Sequence, residues 1–273
     1  MIYYSPCKIN IGLHVFNKRT DGFHNLDSLM YPIAWFDVIE IIPSEKLKFS
    51  FSGLKIPGET EDNLCVKAYK LLKNDFSIPN CSIHLHKVIP MGAGIGGGSA
   101  NAAVVLKGLN EVFKLGLSNF QLKEYASHLG SDCAFFIDNV PQVATGRGEK
   151  LFQSTFSLKG YWIKLVNVGI HISTREAFQN VSFVENKKTI LTILENTSIV
   201  TIGTEIENSF EPYVFNRHPT LKKIKEQLIK EGAVFASMSG SGSTLYGIFK
   251  SEPISTYNNK NKNCFEKIIR LEF

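Results

Sequence analysis

The sequence lacks any run of 18 apolar residues, and its opening MIYYSPCKIN puts no basic segment ahead of an apolar one, so neither a membrane span nor a secretory leader is expected. Cysteine is scarce and without pattern. The five residues, Cys7, Cys65, Cys81, Cys133 and Cys264, are odd in number, far apart and free of CxxC or Cys/His ligand spacing. That argues against a disulfide framework or a structural zinc site, and for reduced thiols in a cytoplasmic protein. No block of five like charges occurs, and a net charge of +5 over 273 residues is too small and dispersed for a dedicated nucleic-acid binder, though it suits small phosphorylated ligands. Pro/Ser-rich linkers and internal repeats are missing too. What remains is 44% hydrophobic and 20% charged, a globular make-up with room for one large domain or two small ones, which excludes disorder, collagen and coiled coil.

Alternation opens the chain. Ile9, Ile11, Leu13 and Val15 fall on one face of a two-residue period and Lys8, Asn10, Gly12 and His14 on the other, predicting a strand with one core face and one face available for chemistry. Strand-like stretches follow at 38–42 and 47–51, then a helical pattern at 63–72 and an alternating strand at Cys81, Ile83 and Leu85. A glycine-rich passage leads into a helix whose Val105, Leu109 and Val112 are spaced for one buried face, with a second helix near 118–128. Apolar runs at 134–137, read as a strand, and at 142–145 close the first half. The stretch 160–167 opens the second half, which carries helical patterns near Thr174, Ile190, Glu205 and Leu221 and a strand pair, 233–238 and 244–249, around SGSGS. A soft boundary near 155 divides 1–154 from 155–273, and YNNKNKN at 257–263 reads as a solvated loop or hairpin tip.

Five of the eight residues from Gly92 to Ser99 are glycine, and a helix is predicted to start directly afterwards. Such a backbone can curve so that its N–H groups converge, and a helix N-terminus adds unpaired donors with a partial positive charge, so the pair makes an anion cradle suited to a phosphate chain. The alternative is a flexible loop that binds nothing. Neither the GxxxxGK(S/T) pattern nor a good dinucleotide fingerprint fits the segment. Three further pieces favour the cradle: PCKIN followed by a TDGFH turn, LGSDCAFF with Asp132 past a helix end, and a second Gly/Ser loop in ASMSGSGSTLYGIF. Taken singly, Asp132 is an ordinary cap or turn residue, Lys8 a surface charge, His24 a turn histidine and Phe178 a core aromatic.

In this order, together with ATGRGE at 144–149, these motifs resemble the GHMP kinase superfamily over nearly the whole chain. The triple glycine Gly96–Gly98 before Ser99 is similar to its diphosphocytidyl subfamily, where the superfamily at large carries a serine pair at Gly97 and Gly98. The resemblance implies an α+β, two-domain GHMP kinase fold: a ribosomal-protein-S5-like N-terminal domain, a C-terminal α/β substrate domain and an active site in the cleft between them. It implies ATP as cosubstrate with Mg²⁺, and γ-phosphoryl transfer to a hydroxyl of a cytidine-diphosphate-linked polyol. Lys8 and Asp132 match the family's catalytic positions, a cation and a base for a poorly nucleophilic alcohol. Asn63, Lys87, Pro90 and Met91 match the nucleotide site, with the loop Gly92, Ala93, Gly94, Ile95, Gly96, Gly97, Gly98 and Ser99, the last a metal-ligand candidate. Asn10, Phe23, His24, Arg147, Thr174, Phe178, Gly240, Ser241 and Gly242 match the substrate site, with Phe23, His24 and Phe178 enclosing the cytosine from both halves of the sequence.

The expected partner is thus a small molecule, with no nucleic acid and no membrane, and the expected state a monomer or weak homodimer in the cytoplasm. Rival readings are a GHMP kinase for homoserine, mevalonate or a sugar, which would not require the DGFH turn with Phe178, and a binding or regulatory protein on this fold, against which Lys8, Asp132 and the intact glycine loop speak.

Overall fold

The structure is a computed structural model that describes every residue except Asp21, Ser182, residues 184–187, Thr197, residues 203–204, residues 257–263 and Phe273. Asp21 of the TDGFH turn and the whole YNNKNKN run lie outside the described residues. Helices and sheets are mixed, in two compact units. The first is Met1–Lys8, Ile33–Met91 and Gly96–Val140; the second is Ile9–Pro32, Gly92–Ile95 and Pro141–Phe273. Neither unit is one stretch of sequence, because β1 (Ile2–Lys18) and β2 (His24–Pro43) each contribute to both.

The first unit continues with β3 (Lys48–Gly53), α1 (Leu64–Asp75), β4 (Cys81–Lys87), α2 (Gly97–Val112), α3 (Asn119–Leu129) and α4 (Phe135–Asp138). The second half of β2 pairs antiparallel with β4, Val38 opposite His86 through Pro43 opposite Cys81, and β4 pairs in parallel with β3. Helices α1 and α3 start where the sequence offers caps. Asn63 Oδ1 accepts Cys65 N–H at 2.9 Å, and Ser118 with Gln121 forms a capping box for α3. Helix α2 is built from small residues because it lies hard against strands: a Cβ at Gly108 would stand 2.7 Å from Ile41 Cδ1 and 2.9 Å from the Tyr3 ring.

The second unit holds β5 (Gln142–Gly146), β6 (Lys150–Gln153), β7 (Trp162–Asn167), α5 (Thr174–Gln179), α6 (Ile190–Asn196), α7 (Ile199–Ile202), α8 (Glu211–Arg217), α9 (Pro219–Lys230), β8 (Phe235–Met238), β9 (Leu245–Phe249) and β10 (Phe265–Arg270). The first half of β2 pairs antiparallel with β5, and β5 with β6. A second, antiparallel sheet runs β10-β7-β9-β8. Leu13, Val15, Phe210, Leu221, Met238 and Leu245 meet in the core of this unit.

Two expectations fail for physical reasons. The polar face of β1 is not open: Asn10 is 2% and His14 0% exposed, like Ile9, Ile11 and Val15 at 0%. Asn10 is covered by polar partners, its Nδ2 donating to Ser28 Oγ at 2.7 Å and its N–H to Ser239 Oγ at 3.2 Å, while Tyr246 Oη donates to its carbonyl at 2.8 Å. The run after Asp132 is a helical turn, α4, and not a strand. Phe135, Phe136 and Ile137 are all buried, so the segment shows no periodicity to read. The helical pattern expected near Glu205 falls partly on residues 203–204, outside the described residues; α7 is described over Ile199–Ile202 and Glu205 lies in a turn.

Candidate active site

In the first unit the last part of the glycine run is helix, not loop. Gly96 caps α2 with φ +70°, a left-handed conformation that a side chain resists, and offers no side chain to the helix N-terminus. A Cβ there would lie 3.0 Å from the Phe136 ring and 3.2 Å from Lys8 Cε. The first turn, Gly97, Gly98 and Ser99, therefore begins with uncapped N–H groups and the positive end of a 16-residue helix. Beside it, Lys8 Nζ stands 3.2 Å from Asp132 Oδ2, with side-chain exposures of 4% and 32%. The cation is locked in the interior and the carboxylate is within reach of solvent. Ser99 forms a side-chain hydrogen bond with the Cys133 thiol, whose pKa is pushed up to about 12, chiefly by burial.

Lys87, expected among the nucleotide contacts, is instead a buried structural group. Its ammonium pairs with Asp37 and donates to Asn101 Oδ1 at 3.2 Å. Asp37 Oδ1 also accepts Val88 N–H (2.7 Å) and Ile89 N–H (2.8 Å), and Asn101 Nδ2 donates to Ser5 Oγ (2.9 Å). Burial lowers the Lys87 pKa while Asp37 opposes that shift. The network fixes the strand that enters the glycine run. A cavity of about 100 Å³ in the same unit, lined by Asn101 of this network and by Ile56, Pro57, Asn63, Leu64, Met91 and Gly98, among others, gives Asn63 and Met91 a shared wall. Pro90 is half-buried beside Met91.

In the second unit the earlier part of the glycine run is sewn to the late Gly/Ser loop. Thr244 Oγ1 donates to Ala93 O at 2.6 Å and Ser239 Oγ to Gly94 O at 2.8 Å. Gly94, at φ +77°, has room for nothing larger: a Cβ would stand 2.4 Å from Ser239 O and 2.7 Å from Gly242 O. Gly92 is exposed, with the imidazole of His171 next to it, and Ile95 is buried. Gly240 packs over Asn10 and the Gly94 carbonyl, Gly242 over Ile172 and Met238, and Ser241 Oγ shares a 3.1 Å hydrogen bond with Thr174 Oγ1.

Two of the three residues expected to enclose a cytosine, His24 and Phe178, meet inside this one unit, though they come from distant sequence. His24 stacks with Phe178 (centroids 5.8 Å apart, planes at 20°) and also with Phe183 (5.2 Å, 23°). Phe183 escaped sequence reasoning, since a lone aromatic in VSFVE carries no motif. Phe23 is 54% exposed and carries the Arg147 guanidinium 5.0 Å above its ring. Among the described residues no cluster of three or more His, Cys, Asp or Glu is arranged to hold a metal ion, and no helix is long and apolar enough to cross a membrane.

Residues 63–147 match the model of the GHMP kinases N terminal domain, and residues 190–256 that of the GHMP kinases C terminal domain. A 4-diphosphocytidyl-2-C-methyl-D-erythritol kinase of Cytophaga hutchinsonii is 45% identical over 95% of this chain and 96% of its own length. The protein of the same name from Bacteroides thetaiotaomicron is 47% identical over 92% of this chain and 93% of its own length. Among solved structures, a crystal structure of 4-(cytidine 5'-diphospho)-2C-methyl-D-erythritol kinase superposes with a TM-score of 0.76 at 29% identity, over 91% of this chain and 90% of that one.

Proposed function

The chain belongs to the GHMP kinases and, within them, to the 4-diphosphocytidyl-2-C-methyl-D-erythritol kinases, and on that premise we propose that it phosphorylates the 2-hydroxyl of 4-diphosphocytidyl-2-C-methyl-D-erythritol. ATP is the cosubstrate, and the products are the 2-phosphate and ADP, a step of the non-mevalonate route to isoprenoid precursors. The observation that carries the chemistry is the Lys8–Asp132 pair beside the uncapped start of α2.

Asp132 takes the proton of the 2-hydroxyl as its oxygen attacks the γ-phosphorus. The bond from that phosphorus to the β,γ-bridging oxygen breaks, and ADP leaves with the electron pair. Because such transfers depend on positioning and charge stabilisation, Lys8 and the N–H groups of Gly97, Gly98 and Ser99 supply most of the remaining effect. The cavity at Asn63 and Met91 takes the adenosine. His24 and Phe178 hold the cytosine by stacking, with the ring nitrogens of His24 offered to the base edge; Phe183 joins them.

Mg²⁺ belongs to this reading as a proposal. A cation that keeps several waters and takes phosphate oxygens needs few protein ligands, and the Ser99 hydroxyl on the first turn of α2 fits that donor set. When bound, the ion neutralises charge on the transferring phosphate. We assign the sequence halves 1–154 and 155–273 to the N- and C-terminal GHMP domains, and place the enzyme in the cytoplasm as a monomer or weak homodimer.

The deciding experiment is an ATP-coupled assay with the diphosphocytidyl substrate beside mevalonate and homoserine. Turnover is expected with the first alone, and preference for either of the others would move the assignment within the superfamily. Chelating Mg²⁺ should stop turnover; full activity in chelator would remove the metal from the scheme.

A further inference from the structure

Asn208 lies outside every motif in the sequence, yet its side chain is 2% exposed and fully engaged. Its amide nitrogen donates to two carbonyls of the late Gly/Ser loop, Met238 O at 2.7 Å and Gly240 O at 2.8 Å, while its amide oxygen accepts Phe210 N–H at 2.9 Å. The backbone around it is anchored on β1, where Leu13 N–H donates to Glu207 O (2.9 Å) and Ser209 N–H to Leu13 O (2.8 Å). Three residues on, Glu211 accepts Met238 N–H at 2.8 Å and the Ser237 hydroxyl at 2.9 Å. A single turn of chain thus grips the passage from β8 into the loop.

Peptide geometry says what that grip does. A trans peptide points its C=O and N–H in opposite directions, and Gly240–Ser241 is trans. With Gly240 C=O turned towards Asn208, Ser241 N–H is turned away from it. Ser239 N–H closes on Thr244 O at 2.9 Å and Gly242 N–H on Ser239 O at 3.0 Å, but among the described residues no backbone carbonyl takes Ser241 N–H. Gly240, at φ +58°, has no Cβ to hold the peptide in one orientation, so the hydrogen bond from Asn208 Nδ2 to Gly240 O selects it, while the one to Met238 O holds the strand end beside it. Ser241 is also tied through its hydroxyl to Thr174, one helical turn before Phe178 in α5, whose ring stacks on His24. The anion suited to a donor beside a base-stacking ring is the phosphate of a nucleotide.

We infer that Asn208 is a positioning residue that sets the Gly240–Ser241 peptide so that Ser241 N–H is presented to the diphosphate of the cytidine-linked substrate. The inference rests on the kinase reading above, and its test separates the two. In the full-length enzyme, Asn208→Ala should raise KM for the diphosphocytidyl substrate about tenfold to a hundredfold, as for one hydrogen bond to a charged group, with KM for ATP changed less than about twofold. Cytidine diphosphate should shift the Ser241 amide resonance in a nitrogen–proton correlation spectrum of the wild type; in the variant that response should vanish while the His24 ring signals still move. If the alanine variant is too unstable to assay, Asn208→Ser, whose hydroxyl can still donate to one of the two carbonyls, should give an intermediate KM. A parallel rise of both KM values with a lowered Tm, or a Ser241 amide that responds to cytidine diphosphate equally with and without Asn208, would overturn the role. Should the wild type not phosphorylate the diphosphocytidyl substrate, the titration decides alone. An Asn208-dependent Ser241 response keeps the positioning role and discards the kinase reading, and no Ser241 response discards the role.

Discussion

Asp132 and Lys8 differ in what surrounds them, and that difference divides their work. A carboxylate one-third exposed can meet a hydroxyl, whereas a lysine at 4% can only hold its charge in place. Asp132→Asn keeps the shape and removes the base, so kcat should fall about 10²- to 10⁴-fold while an ATP analogue binds nearly as before. A folded variant with more than about a tenth of wild-type turnover would take the role from Asp132. Lys8→Met should also lower kcat strongly, and unchanged kinetics would leave Lys8 a strand residue. Asp27 makes a different prediction. It is 2% exposed, its Oδ2 accepts Ile190 N–H at 2.6 Å, and among the described residues its Oδ1 finds no hydrogen-bond partner; burial raises its pKa. An acid with a higher pKa folded than unfolded contributes stability at low pH that is lost as pH rises through the folded value. Asp27→Asn does not titrate and keeps an acceptor for Ile190, so its Tm relative to wild type should climb as pH rises from the usual carboxylate range through the raised value of Asp27. A gap that does not change with pH would show that the charge of Asp27 costs nothing.

The glycine run shows how neighbouring glycines answer to different constraints. Gly98 is helical without a positive φ, and a Cβ there would meet only the flexible Met91 Cε at 3.3 Å. Gly98→Ala should therefore raise Tm, since alanine favours a helix over glycine by about 0.5–1 kcal/mol. It should also weaken ATP binding, because Gly98 and Met91 line the same cavity. Calorimetric titration with a non-hydrolysable analogue checks this; unchanged affinity would place the nucleotide elsewhere. Gly97 is a poorer probe, as its Cβ would press on Ile89 Cγ2 at 2.9 Å and disturb the fold itself. The glycine run leading into a helix was legible in sequence. What the letters alone could not show is that the helix begins at Gly97, or that Gly94 is there for the Ser239 and Gly242 carbonyls. Strands β1 and β4 were legible from their alternation, whereas β10 was not, since its half-buried pattern mixes Glu266, Lys267 and Arg270 with isoleucines. Lys87 is expected at the nucleotide only because the family resemblance places it there, and Asp37, fifty residues earlier, reveals its other use.

At the scale of the molecule, sequence order was a poor guide to grouping. Residues 9–32 and 92–95 pack with the C-terminal part, so His24 and Phe178 are neighbours within one unit. Phe178→Ala should raise KM for the diphosphocytidyl substrate about tenfold to a hundredfold, the effect of losing a stacking partner, with KM for ATP little changed. An unaltered KM, or equal activity on a substrate lacking cytidine, would point to another member of the superfamily. The same long-range closure governs how the protein comes into being. Asn10 makes its final contacts with Ser239 and Tyr246, 229 and 236 residues later in the chain. A ribosome adding about 5–20 residues per second needs roughly 10 to 50 s to cover that distance. Throughout that interval Leu13 and Val15, which end in one core with Phe210, Leu221, Met238 and Leu245, wait without their final cover. The first strand to emerge is among the last to be completed, and on a crowded polysome it must be shielded from pairing with its twin on the next nascent chain.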